Sequence, residues 1–230
     1  MPKYIESPED NEDAFCVVPE HGRIVISDGA SESYDARSWA RLLVDRMTSS
    51  ELSLSALEAC IEDYESLHDP NSLSWSKLAA YERGSFATLL VLQDDSNSRT
   101  IRVTAVGDSL FVLSKGRTLI GSIPYTSSLE FQARPSLLST RKALNGEGDS
   151  LGLRADWPYD KDDDYLLLCM TDALGEWYFS HSDESGASAL EVLSSFRSHD
   201  AFEQFVEEER AGGRLHRDDT TLVIAALASE

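Results

Sequence analysis

Apolar residues fall along this chain in two rhythms. Continuous short runs such as Phe15-Cys16-Val17-Val18, Ile24-Val25-Ile26, Leu89-Leu90-Val91-Leu92 and Leu166-Leu167-Leu168-Cys169-Met170 are bounded by polar or turn-forming residues. They read as buried strands. "DAFCVV" and "RIVIS" flank "PEHG", a turn by composition, and so form a hairpin. A second long hairpin is predicted from "GSFATLLVLQ", the polar turn "DDSNS" and "RTIRVTAVGDSLFVL", with a third strand after Asp108. Helical spacing appears over 34–49, with Trp39, Leu42, Leu43 and Met47, and over 52–67, with Leu54, Leu57, Ile61 and Tyr64. Residues 187–211 also read as helix, "DYLLLCM" as a strand and "TTLVIAAL" as a closing strand. Between them, 116–163 is mixed, carries Pro124, Pro135 and Pro158, and predicts short strands in an irregular, flap-like excursion. Strands, two helices, more strands, helices and a last strand imply sheets covered by helices, an α+β layered fold. No internal repeat or low-complexity linker interrupts it, so 1–230 reads as one domain.

Three strand-like runs end on acids: Ile26 leads to Asp28-Gly29, Val106 to Gly107-Asp108, and Met170 to Asp172. In an antiparallel pair, positions equidistant from the turn lie opposite each other. A turn centred between Glu20 and His21 sets Asp13 opposite Asp28, and one centred near Ser96 sets Gly84 opposite Asp108. Asp172 ends its strand and Asp218 precedes the last one, so neighbouring antiparallel strands would bring these two together. Four or five carboxylates then share one solvated rim. Such a cluster needs cations or raised pKa values, and an oxygen-only set favours Mg²⁺ or Mn²⁺. Singly, each acid is as readily a turn former or helix cap.

Charge sharpens this picture. With 41 acidic and 20 basic residues the net charge is -21. That argues against nucleic acid and anionic membrane as partners; most of it is a solvated surface. Cys16, Cys60 and Cys169 lack metal-ligand spacing and read as buried thiols. "MPKYIESPEDNEDAF" shows neither a basic leader nor an apolar core, and no run approaches the roughly 18 residues of a membrane span. The expectation is a cytoplasmic protein.

Six segments in order resemble the metal-dependent protein Ser/Thr phosphatases of type 2C, most closely the compact bacterial members. They are "NEDAF" (11–15), "ISDGAS" (26–31), "GSFATLLV" (84–91), "VTAVGDSLFVL" (103–113), "LLLCMTDAL" (166–174) and "RDDTTLVIAAL" (217–227). The resemblance implies a sandwich of two antiparallel β-sheets flanked by α-helices on both sides. It implies two or three divalent cations, Mn²⁺ or Mg²⁺, held by Asp13, Asp28, the Gly29 carbonyl, Asp108, Asp172 and Asp218. Glu12 and Asp219 would act through water or neighbouring ligands, and Asp108 with Asp172 would hold the weakest ion. Asp28, Asp172 and Asp218 would be the catalytic set, and a water bridging two metals would attack phosphorus in line. The implied partner is a phosphorylated protein, with a Ser/Thr kinase as a candidate counterpart.

The chain departs from the family pattern at four places. Pro8 stands where the family often has a phosphate-gripping Arg, and Ala30 where some members have a His. Ala173 replaces the Gly of Ser-Asp-Gly, and Leu110 an Arg. Arg37, Arg83 and Arg217 are candidate replacements for the gripping Arg, though each reads first as a surface residue. His21 falls in a turn. The competing reading is a catalytically weak relative that acts as a binding or regulatory module. A phosphatase with an aspartyl nucleophile would need an Asp-x-Asp motif, which "SDGAS" lacks.

Overall fold

The computed structural model describes residues 1–4, 6–146, 151–184 and 189–227. Among the described residues, eleven strands and six α-helices follow in the order β1 (Ala14–Val18), β2 (Arg23–Ser27), α1 (Ala36–Met47), α2 (Leu54–Ser66), α3 (Trp75–Arg83), β3 (Phe86–Ala87), β4 (Leu89–Asp95), β5 (Thr100–Val106), β6 (Leu110–Lys115), β7 (Thr118–Ile123), β8 (Leu138–Ser139), β9 (Leu153–Pro158), β10 (Tyr165–Met170), α4 (Asp172–Glu184), α5 (Ala189–Ser195), α6 (His199–Ala211) and β11 (Leu222–Leu227). One sheet has the order β1-β2-β4-β5-β9, the second β11-β10-β6-β7, and β3 pairs with β8 in a short third ladder. The two large sheets are antiparallel throughout. No helix among the described residues is long and apolar enough to cross a membrane.

The runs in β2, β4, β6 and β10 are explained by burial on both faces of their sheets, whereas the run from Phe15 to Val18 lies on edge strand β1 and leaves Phe15 and Val17 exposed, so it is not the buried strand expected. Ile24 and Ile26 of β2 point between the sheets with Leu90, Leu92, Ile101, Val103, Phe111, Leu113, Leu167 and Cys169. Val25, one residue out of phase, packs instead with Trp39, Leu43, Met47, Leu57 and Tyr64 from α1 and α2. On the far side Leu110, Val112, Leu168 and Met170 meet Leu174, Trp177, Phe202 and Val206 from α4 and α6. The result is helix, sheet, sheet, helix: the expected sandwich.

Helix α1 buries Ala36, Trp39, Ala40, Leu43, Val44 and Met47, a stripe at helical spacing, and Asp35 caps it by accepting a bond from Ser38 N at 3.1 Å. Two helices lie outside the predicted pattern. Helix α3 buries only Tyr81 and leaves Trp75 at the surface, so it has almost no stripe to detect. Helix α4 buries Ala173, Leu174, Trp177, Tyr178 and Phe179 nearly all round, which hides the 3.6-residue period. The predicted helix over 187–211 is two helices, α5 and α6; residues 187 and 188 lie outside the described residues, as do 147–150 of the excursion. Residues 116–163 supply β7 to the edge of one sheet, β9 to the edge of the other and β8 to the short ladder.

The first hairpin has the predicted register. Ala14 faces Ser27 and Val18 faces Arg23, so the next step sets Asp13 against Asp28. The second does not. Leu89 faces Val106 and Asp95 faces Thr100, which moves the turn centre three half-steps beyond Ser96 and removes the pairing of Gly84 with Asp108. The cause is an Asx turn: Asp95 Oδ1 accepts from Asn97 N and Ser98 N, both at 3.1 Å. Gly84 instead ends α3 at φ +93°, where a Cβ would lie 2.8 Å from Arg141. The run from Gly84 is thereby broken into β3 and β4.

Candidate metal centre

Antiparallel topology delivers the acids to one end of the sandwich. Strands β2, β5 and β10 run toward that end, and β1, β6 and β11 start from it. Asp28 therefore follows β2, Asp108 lies in the crossing from β5 to β6, Asp172 opens α4 after β10, and Asp13 and Asp218 precede β1 and β11. Pairing of β10 with β11 brings the segments of Asp172 and Asp218 alongside, with Met170 facing Leu222.

Buried hydroxyls hold these acids in place. Asp13 Oδ2 accepts from Thr221 Oγ1 at 2.7 Å and from Thr171 Oγ1 at 3.3 Å. Thr171 Oγ1 in turn accepts from Thr221 N at 3.0 Å, which ties the starts of the three segments together. The backbone of Asp28 is clamped to Thr88: its N–H donates to Thr88 Oγ1 at 2.9 Å and its carbonyl accepts from Thr88 N at 2.8 Å. Thr88 Oγ1 also meets Ser109 Oγ at 2.7 Å, beside Asp108. Asp172 Oδ1 accepts from Ala173 N at 2.6 Å. Asp219 accepts from Lys3 N at 2.5 Å and Glu12 N at 2.7 Å, so it orders the approach to β1, while Asp218 Oδ1 takes Lys3 Nζ at 3.3 Å. These threonines and serines were not among the predicted site residues. Their signal was local: Thr171 and Ser109 each adjoin an acid of the motif.

The electrostatics are those of trapped like charges. Asp13 and Asp108 are buried, and Asp28, Asp172 and Asp218 half-buried, so the rim is less solvated than expected. Burial pushes the Asp28 carboxyl well above the ordinary carboxylate range, and the charges of Asp13, Asp172, Asp218 and Asp108 push it further. Burial likewise raises Asp172, with Asp108 and Asp218 adding to it. Asp13 rises for the same reason despite the Thr221 bond, and Asp108 rises by burial against its own backbone hydrogen bond. Glu12 is raised by burial, opposed by a bond from Ser31.

Among the described residues no three His, Cys, Asp or Glu side chains close tightly enough to form one coordination shell. The acids face each other across electrostatic range instead. Asp13 Oδ1 is enclosed and has no hydrogen-bond partner. An enclosed, unpartnered carboxylate oxygen amid four further carboxylates suits a hard divalent cation, so the donor set fits Mg²⁺ or Mn²⁺.

Gly29 forms a bridge with Ala87. Its lack of a side chain has a steric cause in the packing of α1. A Cβ there would lie 2.9 Å from the backbone and Cβ of Ala36, at the start of α1. Of the candidate arginines, Arg83 and Arg217 are exposed, as expected, whereas Arg37 is half-buried. His21 is exposed. Cys60 and Cys169 are buried, but Cys16 is only partly so, because β1 is an edge strand.

No family model and no curated protein sequence matches the chain. Solved structures do. A bacterial serine phosphatase is 14% identical, with 96% of this chain and 93% of that one covered and a TM-score of 0.62. The Mycobacterium tuberculosis serine/threonine phosphatase PstP is 17% identical over 96% and 93%, with a TM-score of 0.58, and its catalytic domain has also been solved with two manganese ions. PppA, a key regulatory component of T6SS in Pseudomonas aeruginosa, is 19% identical over 94% and 91%, with a TM-score of 0.55. The chain therefore has the type 2C phosphatase fold.

Proposed function

We propose that the protein is a metal-dependent phosphoprotein phosphatase that hydrolyses phosphoserine or phosphothreonine. The observation that carries this reading is the convergence of Asp13, Asp28, Asp108, Asp172 and Asp218 at the end of the sandwich, with one enclosed oxygen of Asp13 unpartnered. Structural likeness to PstP, solved with two manganese ions, supports the choice of cation. Asp28, Asp172 and Asp218 would hold the tighter ions together with Asp13 and the Gly29 carbonyl, and Asp108 with Asp172 a weaker one. Bound there, divalent cations would supply an acidified water and offset charge on phosphoryl oxygens.

The chain's own residues would do the rest. Thr171 and Thr221 keep Asp13 oriented, and the Thr221 bond partly offsets the rise that burial imposes on its carboxyl. The Thr88 clamp fixes the Asp28 backbone against drift of β2. Asp219 pins Glu12 at the start of β1. With Ala30 after Asp28-Gly29, no side chain at that position can protonate a departing alkoxide, so poor leaving groups should react slowly.

The deciding experiment is hydrolysis of an aryl phosphate by the full chain with Mn²⁺, with Mg²⁺ and with chelator. Turnover that requires added metal is expected, with Mn²⁺ at least as effective as Mg²⁺. Full activity after exhaustive chelation would refute metal dependence. No turnover under any condition would favour the second reading, a regulatory or binding module, which Pro8 and Ala30 support.

A further inference from the structure

Five arginines among the described residues are not fully exposed: Arg23, Arg37, Arg46, Arg141 and Arg210. Four donate to the protein, although the Nε of Arg141 and of Arg210 is enclosed without a partner. Arg23 Nε donates to Met47 O at 2.6 Å, and Arg46 pairs with Asp63 at 2.6 Å. Arg141 donates to Tyr81 O and lies 4.9 Å over the Tyr81 ring. Arg210 donates to Pro2 O at 3.0 Å, to Asp218 O and to Thr220 Oγ1 at 3.0 Å. Arg37 is the exception. It has no hydrogen bond or ion pair among the described residues, and its Nε, like those of Arg141 and Arg210, is enclosed without a partner. An enclosed N–H without a partner is costly, and no described protein group compensates it through the rest of the guanidinium, so its place needs a reason.

Arg37 lines a cavity of about 490 Å³ together with Lys3, Tyr4, Glu12, Ser31 and Asp219. Glu12 adjoins Asp13 and Ser31 lies three residues past Asp28, so this cavity opens beside the carboxylate rim. Acids line it too, yet the inner ones are engaged elsewhere. Asp35 caps α1 and faces His68 at 3.3 Å, Asp219 takes two backbone N–H groups, and Glu12 bonds Ser31. Glu9 and Asp10 are exposed to water. The fork of Arg37 is thus left for a ligand with acceptor oxygens.

We propose that Arg37 grips the phosphoryl group of the substrate, its planar fork donating to phosphate oxygens presented at the rim. The idea rests on the phosphatase reading above but is separately testable. Orthophosphate binding to the full chain is measured by calorimetry with and without Mn²⁺, beside aryl phosphate kinetics and Mn²⁺ affinity, for the parent, Arg37→Ala, Arg37→Lys and the exposed control Arg83→Ala. Arg37→Ala should weaken orthophosphate binding by about 10- to 100-fold, the range of a lost charge-assisted bond. KM should rise by a similar factor, with Mn²⁺ affinity unchanged. Arg37→Lys should fall between, since a point charge replaces a fork, and Arg83→Ala should match the parent.

Orthophosphate affinity and KM within twofold of the parent in Arg37→Ala would overturn the assignment. If Arg37→Ala does not fold, Arg37→Gln is read by the same criteria. A parent that binds orthophosphate through Arg37 without hydrolysing esters would leave this site standing and remove the phosphatase reading. A parent that hydrolyses esters regardless of Arg37 would do the reverse, and one that neither binds orthophosphate nor hydrolyses would remove both.

Discussion

The two ends of the first sheet treat the same residue type in opposite ways. At the far end, in the β4–β5 turn, Asp95 accepts from two backbone N–H groups and pairs with Arg102 at 2.9 Å. Those hydrogen bonds, Ser98 first, hold its carboxyl below the ordinary range. At the rim, Asp28 is surrounded by four like charges and burial and is pushed far above it. The first end satisfies its acids from within the chain. The second crowds acids whose charges it only partly offsets, and carboxylates perturbed in this way concentrate at functional sites.

The largest effect should come from removing the acid at the centre of the rim. Asp28→Asn is expected to lower kcat at least about a thousandfold, as loss of a metal position costs several kcal/mol of transition-state stabilisation. Turnover within about tenfold of the parent would break the contrast. Asp108→Ala should be milder: slower catalysis, with the tighter metal sites still titrating by calorimetry.

The next prediction is thermodynamic. The folded-state values of Asp13 and Asp172 rise from 3.8 to about 7. A raised folded value means the folded state holds its proton more tightly than the unfolded one. Stability from these groups is therefore complete below about pH 4 and is lost as pH climbs toward about 7. Under chelation, Tm should fall across this window, and Mn²⁺ should restore it most at the upper end. A flat Tm under chelation, or an Asp28→Asn variant with the parent's slope, would contradict the crowding of charge.

A smaller effect is expected at Thr221→Val, which removes the 2.7 Å bond to Asp13. About 1.5–3 kcal/mol should be lost at pH 8 under chelation, read by urea unfolding, because a bond to a buried charge disappears. The smallest belongs to the far end. Asp95→Asn keeps the turn's acceptor and should leave both turnover and metal dependence of Tm at the parent values.

Much of this architecture was legible because burial on both faces makes strands into unbroken apolar runs, and Ile24-Val25-Ile26 or Leu166 through Met170 can be little else. The β1–β2 register was legible because its turn is symmetric about Glu20 and His21. The β4–β5 register was not, since the side chain of Asp95 chooses the turn centre, and counting residues cannot weigh that choice. Helix α4 escaped notice because a helix enclosed on most sides has no polar face to give its period away.

What the sequence determined by itself was the set of strand-ending acids and their order, together with the sandwich those runs could build. Each of these depends on neighbours in the chain or on a local turn. Tertiary structure alone decided which groups meet across the rim. Thr221 reaches Asp13 from 208 positions away, because β11 docks beside β10. It also decided that Gly29 is small for the sake of Ala36. Arg37, an ordinary charge on an amphipathic helix by sequence, ends half-buried without a partner beside a cavity. Local pattern specifies which residues seek the core; only packing sets which polar groups are stranded when that core closes, and those stranded groups are where this protein's chemistry is expected.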